Sequence, residues 1–317
     1  MTKKTARLYS LHLIAAPLVA VAAVVLRSIA LLASYDVGVG YFASPVLPTI
    51  IWSLLLGAAT TLAVLSYELR ELFIPHLDYR DLPTLFSGVF LSIALLFSAV
   101  LSFIAAFSVD TASSPSAGIA MALLILSSLA AAAGAAAFVL RAFRSEAASI
   151  PAAMLTLPVA ALGILVALYF YFDPSTGVNE PNKLLVEAVW ILVGFFFLGE
   201  ARIALGRAKW ALHTCVTAIT VIFSATASLP NLIYHAVRGS SLHGSTMHDF
   251  VLLGVLLYAL ARLLAAYVTA TRSATPEMIY ATDFAAAAEA LQAEPEDGDA
   301  PTEAPEEEYD DEEASDR

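Results

Sequence analysis

A chain of 317 residues with 59% hydrophobic residues, 14% charged residues and a mean hydropathy of +0.78 carries more apolar surface than a soluble core can hide. The net charge of −12 belongs to one end: fifteen acids lie from Asp283 onward against Arg317 alone, so that stretch carries −14 while residues 1–282 carry +2. The single cysteine, Cys215, excludes an intrachain disulfide and sits in an apolar run, where a thiol packs as a small hydrophobe.

The N-terminal stretch MTKKTARLYSLHLIAAPLVAVAAVVL starts basic like a signal peptide. Its apolar run is too long for one and its alanine-rich end lacks a clean A-x-A site, so it reads as a retained first span. Apolar stretches long enough to cross a hydrocarbon core of about 30 Å as helices follow in sequence. They cover residues 8–33, 47–67, 84–108, 117–140, 152–172, 184–206, 209–230 and 249–271. Pro45 and Pro48, Pro75 and Pro83, Pro115, Pro151, Pro174 and Pro181, and Gly239 with Gly244 punctuate the connections. The expected fold is an all-α, polytopic transmembrane helix bundle of about eight spans.

Lysine and arginine in short loops favour the cytoplasmic side. With the N-terminus inside, Lys3, Lys4, Arg7, Arg70, Arg80, Arg141, Arg144, Arg202, Arg207, Lys209 and Arg272 fall on the inner side, and Lys183 and Arg238 on the outer. The bias recurs at every inner loop, so the chain is expected in the plasma membrane with both termini cytoplasmic. Glu68 with Arg70 and Glu200 with Arg202 then mark inner span ends. Residues two apart do not face each other on a helix, so neither pair is an internal salt bridge.

Four ionisable residues lie within spans: Arg27, Glu187, Glu200 and Arg262. Such residues face the bundle or a wet cavity and need partners. Matched depth suggests two pairs, Arg27 with Glu187 and Glu200 with Arg262, which would gate a polar pathway at either face. The competing reading has the arginines reaching headgroups and the glutamates sitting near interfaces. His12 and His213 are expected as partnered bundle histidines. His235, His243 and His248 gather in NLIYHAVRGSSLHGSTMHDF and read as solvated or interfacial. Their spacing matches no zinc motif, so no metal is expected, with His243, His248 and Asp249 as the weak candidates; Asp249 also reads as a helix cap.

The small-residue run SSLAAAAGAAA at 127–137 points to close helix packing and leaves oligomerisation through such faces open. IAAPLVAVAAVVL at 14–26 resembles LTLPVAALGILVA at 155–167, aligning Pro17 with Pro158, but the acid pairs Glu68 and Glu200 do not share that offset. The domain reading is residues 1–272 as bundle, 273–293 as a short cytoplasmic linker or amphipathic helix, and 294–317 as a disordered acidic tail. The tail suits a basic protein partner; the bilayer is the other partner, and nothing calls for nucleic acid or a cofactor.

Paired carboxylates, a nucleophile elbow, H-E-x-x-H and a phosphate loop are all lacking, which disfavours an embedded enzyme. The sequence leans to a non-catalytic scaffold, sensor or accessory subunit. The alternative is a small-solute transporter or permease with a polar pathway near Glu200 and Arg262.

Overall fold

The computed structural model describes residues 3–70, 81–109, 115–143, 154–173, 180–205, 207, 209–239, 242 and 246–272. The chain divides into two units, Met1–Met278 and Ile279–Arg317; residues 273–317, which hold the expected linker and acidic tail, lie outside the described residues.

Eight helices are described: α1 (Lys3–Ser34), α2 (Val46–Tyr67), α3 (Leu82–Phe107), α4 (Pro115–Phe143), α5 (Leu157–Phe172), α6 (Pro181–Ala204), α7 (Trp210–Arg238) and α8 (Thr246–Arg272). Seven contain stretches long and apolar enough to cross a membrane. At 16 residues, α5 is shorter and spans about 24 Å at 1.5 Å per residue. The chain is thus a helical membrane protein.

Local chemistry sets the helix ends. Asp81 caps α3 by accepting a hydrogen bond from the Thr84 N–H at 3.1 Å, with Pro83 in the first turn. Pro181 opens α6. Gly239, with φ +68°, ends α7 in the left-handed conformation that glycine adopts without strain, its N–H donating to the His235 carbonyl at 2.8 Å. A two-stranded hairpin, β1 (Tyr35–Asp36) with β2 (Tyr41–Phe42), joins α1 to α2. This small addition to the all-helical expectation is closed by Gly40, whose N–H donates to the Asp36 carbonyl at 2.8 Å.

Helices α3 to α8 pack in succession, and α8 returns to α3, so the six close on themselves. Outside this ring, α1 lies against α7 and α8, and α2 against α1 and α7. Helix α7 therefore has neighbours on all sides: 72% of its apolar window is buried, against 22% for α2. At one end, called here the terminal face, Leu8, Tyr9, Leu69, Ile203, Trp210 and Ala265 cluster. At the other, the hairpin face, Leu31, Tyr234 and Leu242 pack with Tyr35 and Phe42.

Small residues do bring helices together as the alanine-rich run suggested. Ser128 donates to the Ala99 carbonyl at 2.8 Å and Ser92 to the Ala135 carbonyl at 2.9 Å, knitting α3 to α4. Helices α5 and α6 approach closely at a glycine. A Cβ on Gly163 would stand 2.6 Å from both the Gly194 nitrogen and the Trp190 carbonyl oxygen.

Two sequence-drawn boundaries need correction. The seventh span was expected to stop at Pro230, but α7 runs through it to Arg238 and takes His235 out of the connecting loop. The next helix starts at Thr246, so Asp249 lies inside its first turn and is not its cap.

Candidate functional site

The continuation of α7 through Pro230 explains the most unexpected side chain in the bundle. Proline has no N–H, so the carbonyl four residues earlier, that of Thr226, loses its helical partner, a costly loss in lipid. Arg27 supplies the missing donor. Reaching across from α1, its guanidinium donates to the carbonyl oxygens of Thr226 and Ala227, the latter at 2.9 Å, and to the side-chain oxygens of Asn182 and Asn231, the latter also at 2.9 Å. Asn231 passes the contact on, its Nδ2 donating to Asp249 Oδ1 at 2.9 Å. The hairpin-face cluster is thus Arg27, Asn182, Asn231 and Asp249, all buried.

This corrects the sequence pairing. Among the described residues no ion pair joins Arg27 to Glu187; the opposing acid is Asp249, reached through an amide. Glu187 is only half-buried, one turn beyond Lys183, and its Oε1 is buried without a hydrogen-bond partner. Lys183 is itself fully buried and reaches the carbonyls of Tyr171 and Asp173 at 3.4 and 3.3 Å, where α5 ends with unsatisfied acceptors.

The second cluster lies at the terminal face. Arg262 Nε of α8 donates to Glu200 Oε1 of α6 at 3.1 Å, with both side chains fully buried. His213 of α7 adds its Nε2 at 3.3 Å from the same oxygen, and the charge of Arg141 on α4 also reaches Glu200. Gly199 makes room for the imidazole: a Cβ there would stand 2.9 Å from His213 Nδ1. Among the described residues, Glu200 Oε2 and His213 Nδ1 are buried with no hydrogen-bond partner.

Between the two clusters runs one face of α7. His213, Thr217, Thr220, Ser224, Ser228 and Asn231 recur at spacings of three and four, the spacing that places side chains on one side of a helix, and all are buried. From His213 to Asn231 the face is about 27 Å long at 1.5 Å per residue, close to the ~30 Å of a hydrocarbon core. Thr217 and Ser228 donate back to the carbonyls four residues earlier, at 2.6 and 2.7 Å, which leaves their oxygens as acceptors. Thr220 Oγ1 and Ser224 Oγ, near the middle, have no hydrogen-bond partner among the described residues.

Aromatic rings fill the space beside this face. Towards the terminal face Tyr258 stacks on Phe197 and meets Phe138 edge-on, with centroids 5.9 and 5.1 Å apart. Towards the hairpin face His248 is wedged among Tyr169, Phe170 and Trp190. His248 is therefore a buried ring, not a solvated one. Its companion candidate His243 lies outside the described residues, and among those residues no group of three or more His, Cys, Asp or Glu could hold a metal. His12, in contrast, is partnered locally, with Nδ1 on the Leu8 carbonyl at 2.7 Å and Nε2 on Ser66 Oγ at 2.8 Å.

The hairpin covers the start of α6. The Tyr35 hydroxyl donates to Glu180 Oε1, and the Glu180 side chain lies against Gly40. Burial pushes the Glu180 carboxyl above its ordinary range, against the Tyr35 hydrogen bond and the Lys183 charge; burial likewise raises the Tyr35 phenol, which stays a donor.

The α7 column escaped the sequence reading because its members are hydroxyls, taken singly as packing residues. A 3,4-spaced run of His, Thr and Ser ending on Asn was the available signal. Comparison with protein-family models, with curated proteins and with solved structures finds no match.

Proposed function

We propose that this chain is a transport protein of the plasma membrane, with both termini cytoplasmic, that moves a small polar solute or ion along the buried face of α7. The observation that carries this reading is the column from Glu200 and His213 to Asn231 and Asp249, a buried polar face about 27 Å long between two charged clusters. The scaffold or sensor reading, favoured by the sequence, explains the partners of Arg27, Lys183 and Arg262 one by one but gives no reason for buried charge at both ends of a single polar helix face. The orientation is supported by the eleven-to-two excess of basic residues on the inner side of the sequence topology. The acidic tail, on this reading, offers a cytoplasmic docking segment for a basic partner.

The test is permeability. Full-length protein is reconstituted in liposomes; a salt or pH gradient is imposed with a potential-sensitive dye present, and swelling in glycerol or urea is followed by light scattering. Faster dissipation or swelling than in protein-free liposomes, abolished by Thr220→Leu with Ser224→Leu, is expected. No change in either readout on adding the folded protein would remove the transport reading.

A further inference from the structure

The fixed charges beside the column limit what can travel along it. A metal cation meets Arg262 and the Arg141 charge at Glu200, and Arg27 at the Asp249 end, so each acid is already neighboured by a cation. A larger solute meets the packed rings of Phe138, Phe197, Tyr258 and Trp190, buried between the helices. A proton needs neither a cage nor a wide passage. It needs acids or bases at the ends and hydroxyls or water between them.

Those parts are present in order. Glu200 Oε1 lies 3.3 Å from His213 Nε2, and the same nitrogen lies 3.4 Å from Thr217 Oγ1. Side chains three or four apart on a helix sit about 5–6 Å apart at Cβ. Two hydrogen bonds of about 2.8 Å through one water span that gap. Four atoms along the way are deeply buried and unpartnered among the described residues: Glu200 Oε2, His213 Nδ1, Thr220 Oγ1 and Ser224 Oγ. Buried polar atoms of this kind demand partners, and water is the partner of the right size where several lie together.

Resting on the transport reading, we propose that the cargo is the proton, relayed between Asp249 and Glu200 through the α7 hydroxyls and intervening water. The steps balance as proton transfers. At Glu200 Oε2 a carboxyl O–H forms as an O–H of the delivering hydronium breaks, and the neutral carboxyl loosens its hold on Arg262. The proton passes on through a water between the two unpartnered atoms: the Oε2–H bond breaks as an O–H forms on the water, and another O–H of that water breaks as an N–H forms at His213 Nδ1. The Nε2–H bond, on the side of Thr217, then breaks as an O–H forms on a water hydrogen-bonded along Thr217, Thr220 and Ser224. At the far end Asp249 accepts or releases it under the charge of Arg27, with Asn231 as a positioning residue that holds the carboxylate. The groups facing Glu200 are His213 on α7, Arg262 on α8 and Arg141 on α4.

The experiment uses full-length protein in liposomes loaded with pyranine, with a potassium gradient and valinomycin driving protons inward. Wild type is expected to acidify the lumen at least tenfold faster than protein-free vesicles. Glu200→Gln and, separately, Thr220→Val with Ser224→Ala should remove most of that rate, whereas Thr61→Val, on the exposed side of α2, should leave it unchanged. The hydroxyl pair is close in shape to wild type, so its melting temperature and elution profile establish folding even where Glu200→Gln misfolds. A wild-type rate equal to that of empty vesicles, or full activity in the folded hydroxyl-pair variant, overturns the proposal. Full activity in the hydroxyl-pair variant would overturn the α7 relay while leaving transport in place; a wild-type proton rate equal to empty vesicles leaves transport standing only if the potential dye or the swelling assay still responds, and if neither responds both readings fall.

Discussion

Removing the guanidinium of Arg27 should cost less where Pro230 is also removed. Arg27 makes four hydrogen bonds, to the carbonyls of Thr226 and Ala227 and to Asn182 and Asn231, but only the bond to Thr226 answers the N–H that Pro230 lacks. Polar contacts between membrane helices average about 0.6 kcal/mol with a maximum near ~1.7. Four of them, together with an Asp249 left without its cation, put Arg27→Met at about 2–4 kcal/mol. Pro230→Ala restores an N–H within reach of the Thr226 carbonyl, so in the Arg27→Met background it should return about 0.5–1.7 kcal/mol, the scale of one such bond. Arg27→Lys keeps a charge towards Asp249 but cannot span four acceptors, so the same partial rescue is expected there. The assay is a double-mutant cycle by denaturant or thermal unfolding in detergent. Single effects that add to within about 0.3–0.5 kcal/mol would show that Arg27 does not answer the proline break.

The Glu200–Arg262 pair gives a second cycle: Glu200→Gln and Arg262→Met should each lower the melting temperature, the double mutant should be milder than their sum, and the coupling should read about 0.5–2 kcal/mol. Gly163→Ala would drive a methyl into the α6 backbone at 2.6 Å and should cost about 1–3 kcal/mol, while Gly118→Ala, with open space around it, should be near neutral; equal effects on the melting temperature would remove the close α5–α6 crossing. Because burial raises Glu180 above its unfolded value near ~4.3, its contribution to stability is present below that pH and is lost as pH rises through the folded value. Glu180→Gln, which still accepts from Tyr35, should therefore match wild type in melts at pH 4 and exceed it at pH 7.5, and the opposite order would contradict the assignment.

Long apolar runs and their breakers made the helices legible, because in lipid the backbone has little alternative to a helix. Glu200 and Arg262 could be matched by depth alone. Arg27 could not be placed by the same rule: its partner was set by Pro230, which reads in a sequence as a stop and in the bundle as an unsatisfied carbonyl inviting a donor. Asp249 was hidden by its position beside a loop, and His248 by two other histidines that made the segment look solvated. Threonine and serine are ambiguous singly, since either packs against a neighbouring helix as readily as it lines a route; which face they occupy depends on what surrounds α7, and that is a tertiary fact.

The placement of α7 also weighs between scaffold and transport. A helix that only holds a bundle together is best made apolar where it is most enclosed, because buried ion pairs are often no more stable than well-packed hydrophobic replacements. Here the most enclosed span carries the most hydroxyls, and both ends of its polar face meet buried charge. The outer helices α1 and α2, with far more of their surface exposed, could have held that polarity at lower cost near the headgroups. The arrangement runs against packing economy along a single helix face about 27 Å long, and the proposed transport reading is the one that gives that face a reason to be polar.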